Sequence, residues 1–193
     1  MPTDAHRLAR RAIQECLEVQ ARLLEPTCLG EIVRAADLIG DSLAAGGKLL
    51  LFGNGGSASD ASHMATELVG RFMSDRRALP ALALGADDSA VTAIANDYGF
   101  ERVFVRQIEA FGAAGDVALA ISTSGRSPNV LAGARIAREL GLRTVGLTGG
   151  TGGELAGLVD VCLRVPATVT ARIQESHILI AHVLCDLVER RFC

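Results

Sequence analysis

Along the first quarter of the chain, apolar residues return every three or four positions. Leu8, Ala12, Ile13, Cys16, Leu17, Ala21 and Leu24 form one stripe over residues 4 to 24, with Asp4 placed to cap this helix and Pro26 to stop it. The spacing recurs from Cys28 to Ala45 through Leu29, Ile32, Val33, Ala36, Leu38, Ile39 and Leu43, until Gly46-Gly47 ends it. The period then changes. Five compact apolar runs, at 48–53, 81–85, 116–121, 143–148 and 160–165, are each bounded by Gly, Asp, Pro or Ser and are predicted as strands. Helix-compatible segments at 58–73, 88–112 and 127–140 and a short turn near 153–157 separate them, and residues 170–190 form a closing helix. Strands that are apolar on both faces and alternate with helices predict an α/β fold, a doubly wound five-stranded parallel sheet with right-handed crossovers. The chain reads as one domain over 1–193, with a helical hairpin at 1–46 and an α/β core at 47–193. Such a hairpin cannot cover both of its own apolar faces, so it should lie on the core or pair with another subunit.

Composition narrows the function. The chain has 193 residues, 49% of them hydrophobic, enough for one sizeable core. Nineteen Lys and Arg stand against 22 Asp and Glu, with no run of like charge, which argues against nucleic acid and against an anionic membrane surface as partners. With no Trp, one Tyr and six Phe, the chain is poor in stacking platforms for single strands. The longest apolar runs, such as 48–52 and 117–121, fall far short of the roughly 20 residues that span a bilayer. Met1-Pro2-Thr3-Asp4-Ala5-His6 leads into charged residues rather than a secretory signal. Cys16, Cys28, Cys162, Cys185 and Cys193 are odd in number, scattered and without a CxxC pair, as expected of reduced thiols in the cytoplasm.

Four segments carry candidate chemistry. Phe52-Gly53-Asn54-Gly55-Gly56-Ser57-Ala58-Ser59 lies between the first strand and a helix, where glycines let backbone N–H groups approach an anion. Gly53, Gly55 and Ala58 also match a dinucleotide fingerprint, but its acidic residue should end the second strand. Asp75 has the spacing and lies before that strand. A tight turn without ligand is the third reading. Ile121-Ser122-Thr123-Ser124-Gly125-Arg126-Ser127-Pro128-Asn129 follows the third strand and opens a helix. N-capping by Ser127 ahead of Pro128 accounts for one hydroxyl, whereas a phosphate cradle accounts for Ser122, Thr123 and Ser124 as well. On the helix after the glycine loop, His63 and Glu67 stack on one face. On the closing helix, Gln174, Ile178 and His182 share a stripe, the outer two about 12 Å apart along the axis. Taken alone, such a pair is more often a surface contact or a satisfied core group than a ligand set. His177, on a neighbouring face, reads as a packing or hydrogen-bonding residue.

Laid out in order, these segments resemble the phosphoheptose isomerases of the sugar isomerase (SIS) domain family. The resemblance rests on Gly53-Asn54-Gly55-Gly56-Ser57, His63 to Glu67 followed by Leu68-Val69-Gly70-Arg71, Ala95-Asn96-Asp97, Ile121 to Gly125, Leu147-Thr148-Gly149, Gly152-Gly153 and Arg172-Ile173-Gln174-Glu175, and it is nearly full length. It implies a flavodoxin-like sheet, a homotetramer built partly by the hairpin, and conversion of sedoheptulose 7-phosphate to D-glycero-D-manno-heptose 7-phosphate, the first step toward activated heptose for surface polysaccharide. It implies phosphate binding by Ser122, Thr123, Ser124 and Ser127. Sugar contacts are implied for Asn54, Gly55, Gly56, Ser57, Glu67, Arg71, Asn96, Asp97 and Gln174, and one zinc ion held by His63, Glu67, Gln174 and His182. Imidazole nitrogens with carboxylate or amide oxygens suit zinc chemically. Some members carry an Asp immediately before the Arg-Ile-Gln-Glu segment, where this chain has Ala171, which cannot replace a carboxylate, beside Thr170, which could supply a hydroxyl; the departure bears on the sugar contacts and not on the isomerase core.

Ketose–aldose exchange through an enediol needs a base beside one carbon and an acid near the oxygens. The expected pair is Glu67 and His182. The rival reading is a non-catalytic SIS protein that binds the replication initiator or senses a sugar phosphate, and retention of His63, Glu67 and His182 separates the two.

Overall fold

The computed structural model describes residues 4–193; residues 1–3 of the expected hairpin segment lie outside the described residues. Two helices, α1 (Asp4–Arg22) and α2 (Pro26–Ala44), precede the first strand, β1 (Leu49–Gly53). Pro26 does more than stop α1. It is the first residue of α2, where its missing N–H costs nothing, so α2 starts two residues earlier than expected. The remaining elements are α3 (Gly56–Val69), β2 (Ala81–Ala83), α4 (Asp88–Tyr98), α5 (Val103–Phe111), β3 (Val117–Ser122), α6 (Pro128–Glu139), β4 (Arg143–Gly149), β5 (Val161–Val165) and α7 (Thr170–Glu189), with short 3-10 turns at Phe100–Arg102 and Leu155–Gly157.

The five strands pair in parallel in the order β2-β1-β3-β4-β5, the flavodoxin-like arrangement. Alternate residues of the strands build two cores. Leu49, Leu51, Leu119, Ile121 and Leu147 face a layer made by α2, α3 and α7, with Ile39, Met64, Leu68, Ile180 and Leu184 buried against them. Leu50, Phe52, Ala118 and Ala120 face α5 and α6 through Phe104, Ile108, Val130 and Ala134.

The expected helix over 88–112 is broken. Gly99, at φ +87°, ends α4, and the chain restarts through the 3-10 turn into α5. The apolar period continues across the break, so nothing but Gly99 signals it. The second strand spans three residues rather than five and pairs on one side, with β1. All five cysteines are free thiols. No helix among the described residues is long and apolar enough to cross a membrane.

The order places β1 next to β3, so their connections to α3 and α6 leave in different directions from the carboxyl edge of the sheet. This switch point is where folds of this type open a crevice for a ligand. Gly53 and Ile121 are register partners there, which sets the glycine loop beside the serine loop.

Candidate active site

The serine loop is a cluster of hydroxyls around a tight turn. Ser122 Oγ lies 3.0 Å from Ser127 Oγ and 3.5 Å from Ser124 Oγ. Ser124 Oγ accepts from the backbone N–H of Arg126 at 3.2 Å. Ser127 occupies the N-cap position of α6, yet its hydroxyl makes no cap hydrogen bond and turns to Ser122 instead. Pro128 has no N–H, Asn129 Oδ1 takes the N–H of Val130 and Ser127 O takes that of Leu131, so in the first turn of α6 it is the N–H of Asn129 that is left for an anion. Thr123 holds the loop through its carbonyl, which accepts from Gly149 N–H at 3.1 Å. Gly125 turns the chain at φ +61°, and a Cβ there would collide with the carbonyl of Gly152, so the Gly152-Gly153 turn backs the cradle directly.

The glycine loop is tied to it across the switch point. Asn54 and Asn129 exchange hydrogen bonds, each side-chain amide donating to the other's carbonyl oxygen at 2.8 Å. Asn129 is buried and also accepts from the backbone N–H of Val130 at 3.0 Å. The family resemblance implies a sugar contact for Asn54 and no role for Asn129. A polar residue directly after the Ser127-Pro128 helix start was the available signal. Gly55 precedes α3 and is exposed, Ser57 is buried in its first turn, and the amide of Gln174 from α7 packs where any side chain on Gly56 would stand.

Farther along α3, three expected residues meet. His63 Nε2 lies 2.9 Å from His182 Nε2 on α7 and 3.4 Å from Glu67 Oε1, one helical turn below it. The two imidazole rings are tilted at 54° with centroids 5.1 Å apart, and Phe72 closes the other side of His182 at 5.4 Å. His63 is open to solvent while Glu67 is 21% exposed, so the carboxylate is the more sheltered of the two. Asp60, one turn before His63, has one oxygen buried without a hydrogen-bond partner. Burial raises its pKa and the nearby His63 partly offsets this.

The donor types at this junction suit zinc, but the spacing is closed. Nitrogen ligands at about 2.0–2.1 Å in a tetrahedral site stand roughly 3.3 Å apart. The imidazole nitrogens, 2.9 Å apart, would have to part by a few tenths of an ångström. Among the described residues no group of three or more His, Cys, Asp and Glu has the spacing of a formed metal site. Gln174 rests on the glycine loop.

The other expected contacts lie outside these clusters. Arg71 is exposed just beyond the end of α3. Asn96 and Asp97 are exposed on the last turn of α4, where Asn96 Nδ2 donates to Asp97 Oδ1 at 2.8 Å, and Asp97 borders a groove between α4 and α5 with Tyr98 and Arg106. His177 is fully buried, as its packing role required, with Nε2 3.2 Å from the carbonyl oxygen of Thr148.

Comparison with known proteins accords with this layout. The model of the SIS domain matches residues 13–149. A phosphoheptose isomerase of Geobacter sulfurreducens is 54% identical over 181 residues, 94% of each chain. The solved structure of a phosphoheptose isomerase from Neisseria gonorrhoeae superposes with a TM-score of 0.86 at 43% identity, covering 97% of this chain and all of that one. Another from Francisella tularensis gives 0.88 at 38% identity, covering 98% and 100%. On sequence and on fold alike, the chain belongs to the SIS domain family, among its phosphoheptose isomerases.

Proposed function

We propose that this chain converts sedoheptulose 7-phosphate to D-glycero-D-manno-heptose 7-phosphate by proton transfer through an enediol. The observation that carries this reading is the convergence of Glu67 from α3 with His182 from α7 through His63. Both helices start at the carboxyl edge of the sheet where the hydroxyl cradle lies, with His63 about 10 Å and Glu67 about 16 Å along α3 from Gly56. Ser122, Thr123, Ser124 and Ser127 take the phosphate, with the start of α6 supplying the N–H of Asn129 and a favourable dipole. Gly55, Gly56, Ser57 and Gln174 border the sugar, Asn54 shapes the loop that meets it, and Arg71, Asn96 and Asp97 complete the contacts from the rim.

With the phosphate anchored, Glu67 removes the proton from C1 of the ketose and returns it to C2, while His182 moves a proton between the two oxygens. Each transfer needs a group within hydrogen-bond reach of its atom, which two residues on separate helices provide from different directions. His63, Glu67 and His182 would hold a zinc ion, and Gln174, seated on the glycine loop, would have to reach toward them to serve as the fourth donor. When bound, that ion polarises the carbonyl and hydroxyl oxygens.

The working unit on this reading is a homotetramer in the cytoplasm, feeding heptose to surface polysaccharide. Its support is α1, a 19-residue helix without a buried residue, on which Leu8, Ile13 and Leu17 are each at least 60% exposed. Apolar faces of that kind are covered by association. A coupled assay with sedoheptulose 7-phosphate, with and without chelator and beside metal analysis, tests the reading. Turnover that chelation removes and zinc restores is the expected result. Turnover that persists in demonstrably metal-free protein would retire the zinc role, and no turnover with zinc supplied would retire the isomerase.

A further inference from the structure

The last residue of α7 is a carboxylate that the proposed reaction does not use. Glu189 is 2% exposed and accepts three backbone N–H bonds, from Phe72 at 2.9 Å on one oxygen and from Met73 and Ser74 at 2.8 Å each on the other. Burial would raise its pKa, but these donors and the neighbouring Arg76 outweigh it and keep Glu189 below the ordinary carboxyl range. Arg76 has its Nε 3.4 Å from Glu189 Oε1, and its side chain is shielded from solvent.

The remaining guanidinium nitrogens of Arg76 turn to the end of α3. One donates to the carbonyls of Leu68 at 2.8 Å, Gly70 at 2.9 Å and Arg77 at 3.0 Å, and the other to the carbonyl of Glu67 at 2.8 Å. The last four carbonyls of a helix lack partners within it. Here the residues concerned include Glu67, and a cation tethered to α7 satisfies its carbonyl. The same carboxylate holds the loop that sets the Phe72 ring against His182.

We propose that Glu189 and Arg76 are positioning residues for the isomerase. Their buried pair joins the turn of α3 that presents Glu67 to the helix that presents His182, and through Phe72 it fixes the imidazole opposite the base. The inference rests on the isomerase reading above. The serine cradle belongs to β3 and α6, outside this clamp, so loosening the clamp should disturb proton transfer far more than phosphate binding.

The test compares Glu189→Gln, which keeps size and one acceptor, and Phe72→Leu, which leaves the ion pair whole, with wild type and Glu67→Gln. The readouts are kcat, KM, thermal midpoint and, in metal-free protein, the imidazole nitrogen resonances of His63 and His182. A displacement of catalytic groups by about 1 Å costs on the order of 100-fold. The expected result for Glu189→Gln is a kcat lowered about 10- to 100-fold, with KM within about threefold. Phe72→Leu should give a smaller kcat loss at an unchanged midpoint, and the His182 resonances should shift in both variants. Wild-type kcat in folded Glu189→Gln, or a loss appearing wholly in KM, would overturn the proposal. Should Glu189→Gln fail to fold, Phe72→Leu decides, and wild-type kcat with unmoved resonances then overturns it. Failure of the isomerase reading itself is seen separately, as absent wild-type turnover or normal turnover in Glu67→Gln, and the resonances still decide whether the clamp positions the ring.

Discussion

Asn54 and Asn129 are locked face to face, each amide giving and receiving one hydrogen bond at 2.8 Å across 75 positions of sequence. The pair ties the loop after β1, proposed to meet the sugar, to the first turn of α6 beside the proposed phosphate cradle. Removing Asn129 leaves the Asn54 amide without its two partners and the Val130 N–H without its acceptor. A lost hydrogen bond with a stranded buried partner costs about 1–3 kcal/mol. Asn129→Ala should therefore lower the thermal midpoint and raise KM about tenfold, with a smaller change in kcat. Steady-state kinetics alongside thermal melting checks this, and an unchanged KM would show that the loops are held by other means.

Gly125 makes a sharper case. Its φ of +61° costs a residue with a Cβ about 1–2 kcal/mol, and here the added carbon also meets the Gly152 carbonyl. The strain falls on the turn that shapes the cradle. Gly125→Ala is expected to weaken phosphate binding at least tenfold, read as Kd for a non-isomerisable sugar phosphate by calorimetry. A folded variant with native Kd would mean that the Gly152-Gly153 turn yields without disturbing Ser122, Ser124 and Ser127.

The strands of the core, the serine loop and the His63/Glu67 stack were legible because each is a local pattern: an apolar run, a cluster of hydroxyls before Pro128, a four-residue spacing on one helix. What stayed hidden is long-range. Glu189 sits in Leu-Val-Glu-Arg-Arg and reads as the solvated end of an amphipathic helix; only the return of residues 72–74 buries it. Arg76 likewise stands in a polar stretch that reads as loop surface. Asn54 was legible as a loop residue facing a ligand, but its partner 75 positions away was not. The break at Gly99 was hidden for a different reason, since the apolar period of α4 carries on in α5.

Glu67 and His182 are assigned to different protons, and their variants should fail differently. A positioned acid or base contributes about 10² to 10⁴ in rate. Glu67→Gln should lower kcat by that order and abolish exchange of the C1 proton with solvent deuterium. His182→Ala should lower kcat comparably while retaining some exchange, because Glu67 still reaches the carbon. Exchange followed by NMR distinguishes them; equal loss of exchange in both would mean that the two groups act as one unit.

His177 gives the fold a pH limb separate from catalysis. Burial depresses its pKa from 6.5 to about 4, and the bond to the Thr148 carbonyl offsets only part of that. The unfolded chain therefore binds a proton near pH 6.5 that the folded chain refuses until about pH 4. Stability from this residue is whole above pH 6.5 and declines as pH falls through that window, by up to about 3 kcal/mol if the full difference is realised. His177→Gln keeps a donor for Thr148 and has no proton to gain. Chemical denaturation at pH 7 and pH 4.5 should show a smaller loss of unfolding free energy in the variant than in the wild type, whatever the variant costs at neutral pH. Equal losses in both proteins would place the acid sensitivity on carboxylates such as Glu189 and Asp160, which are also held below their ordinary range and lose stability in the same direction.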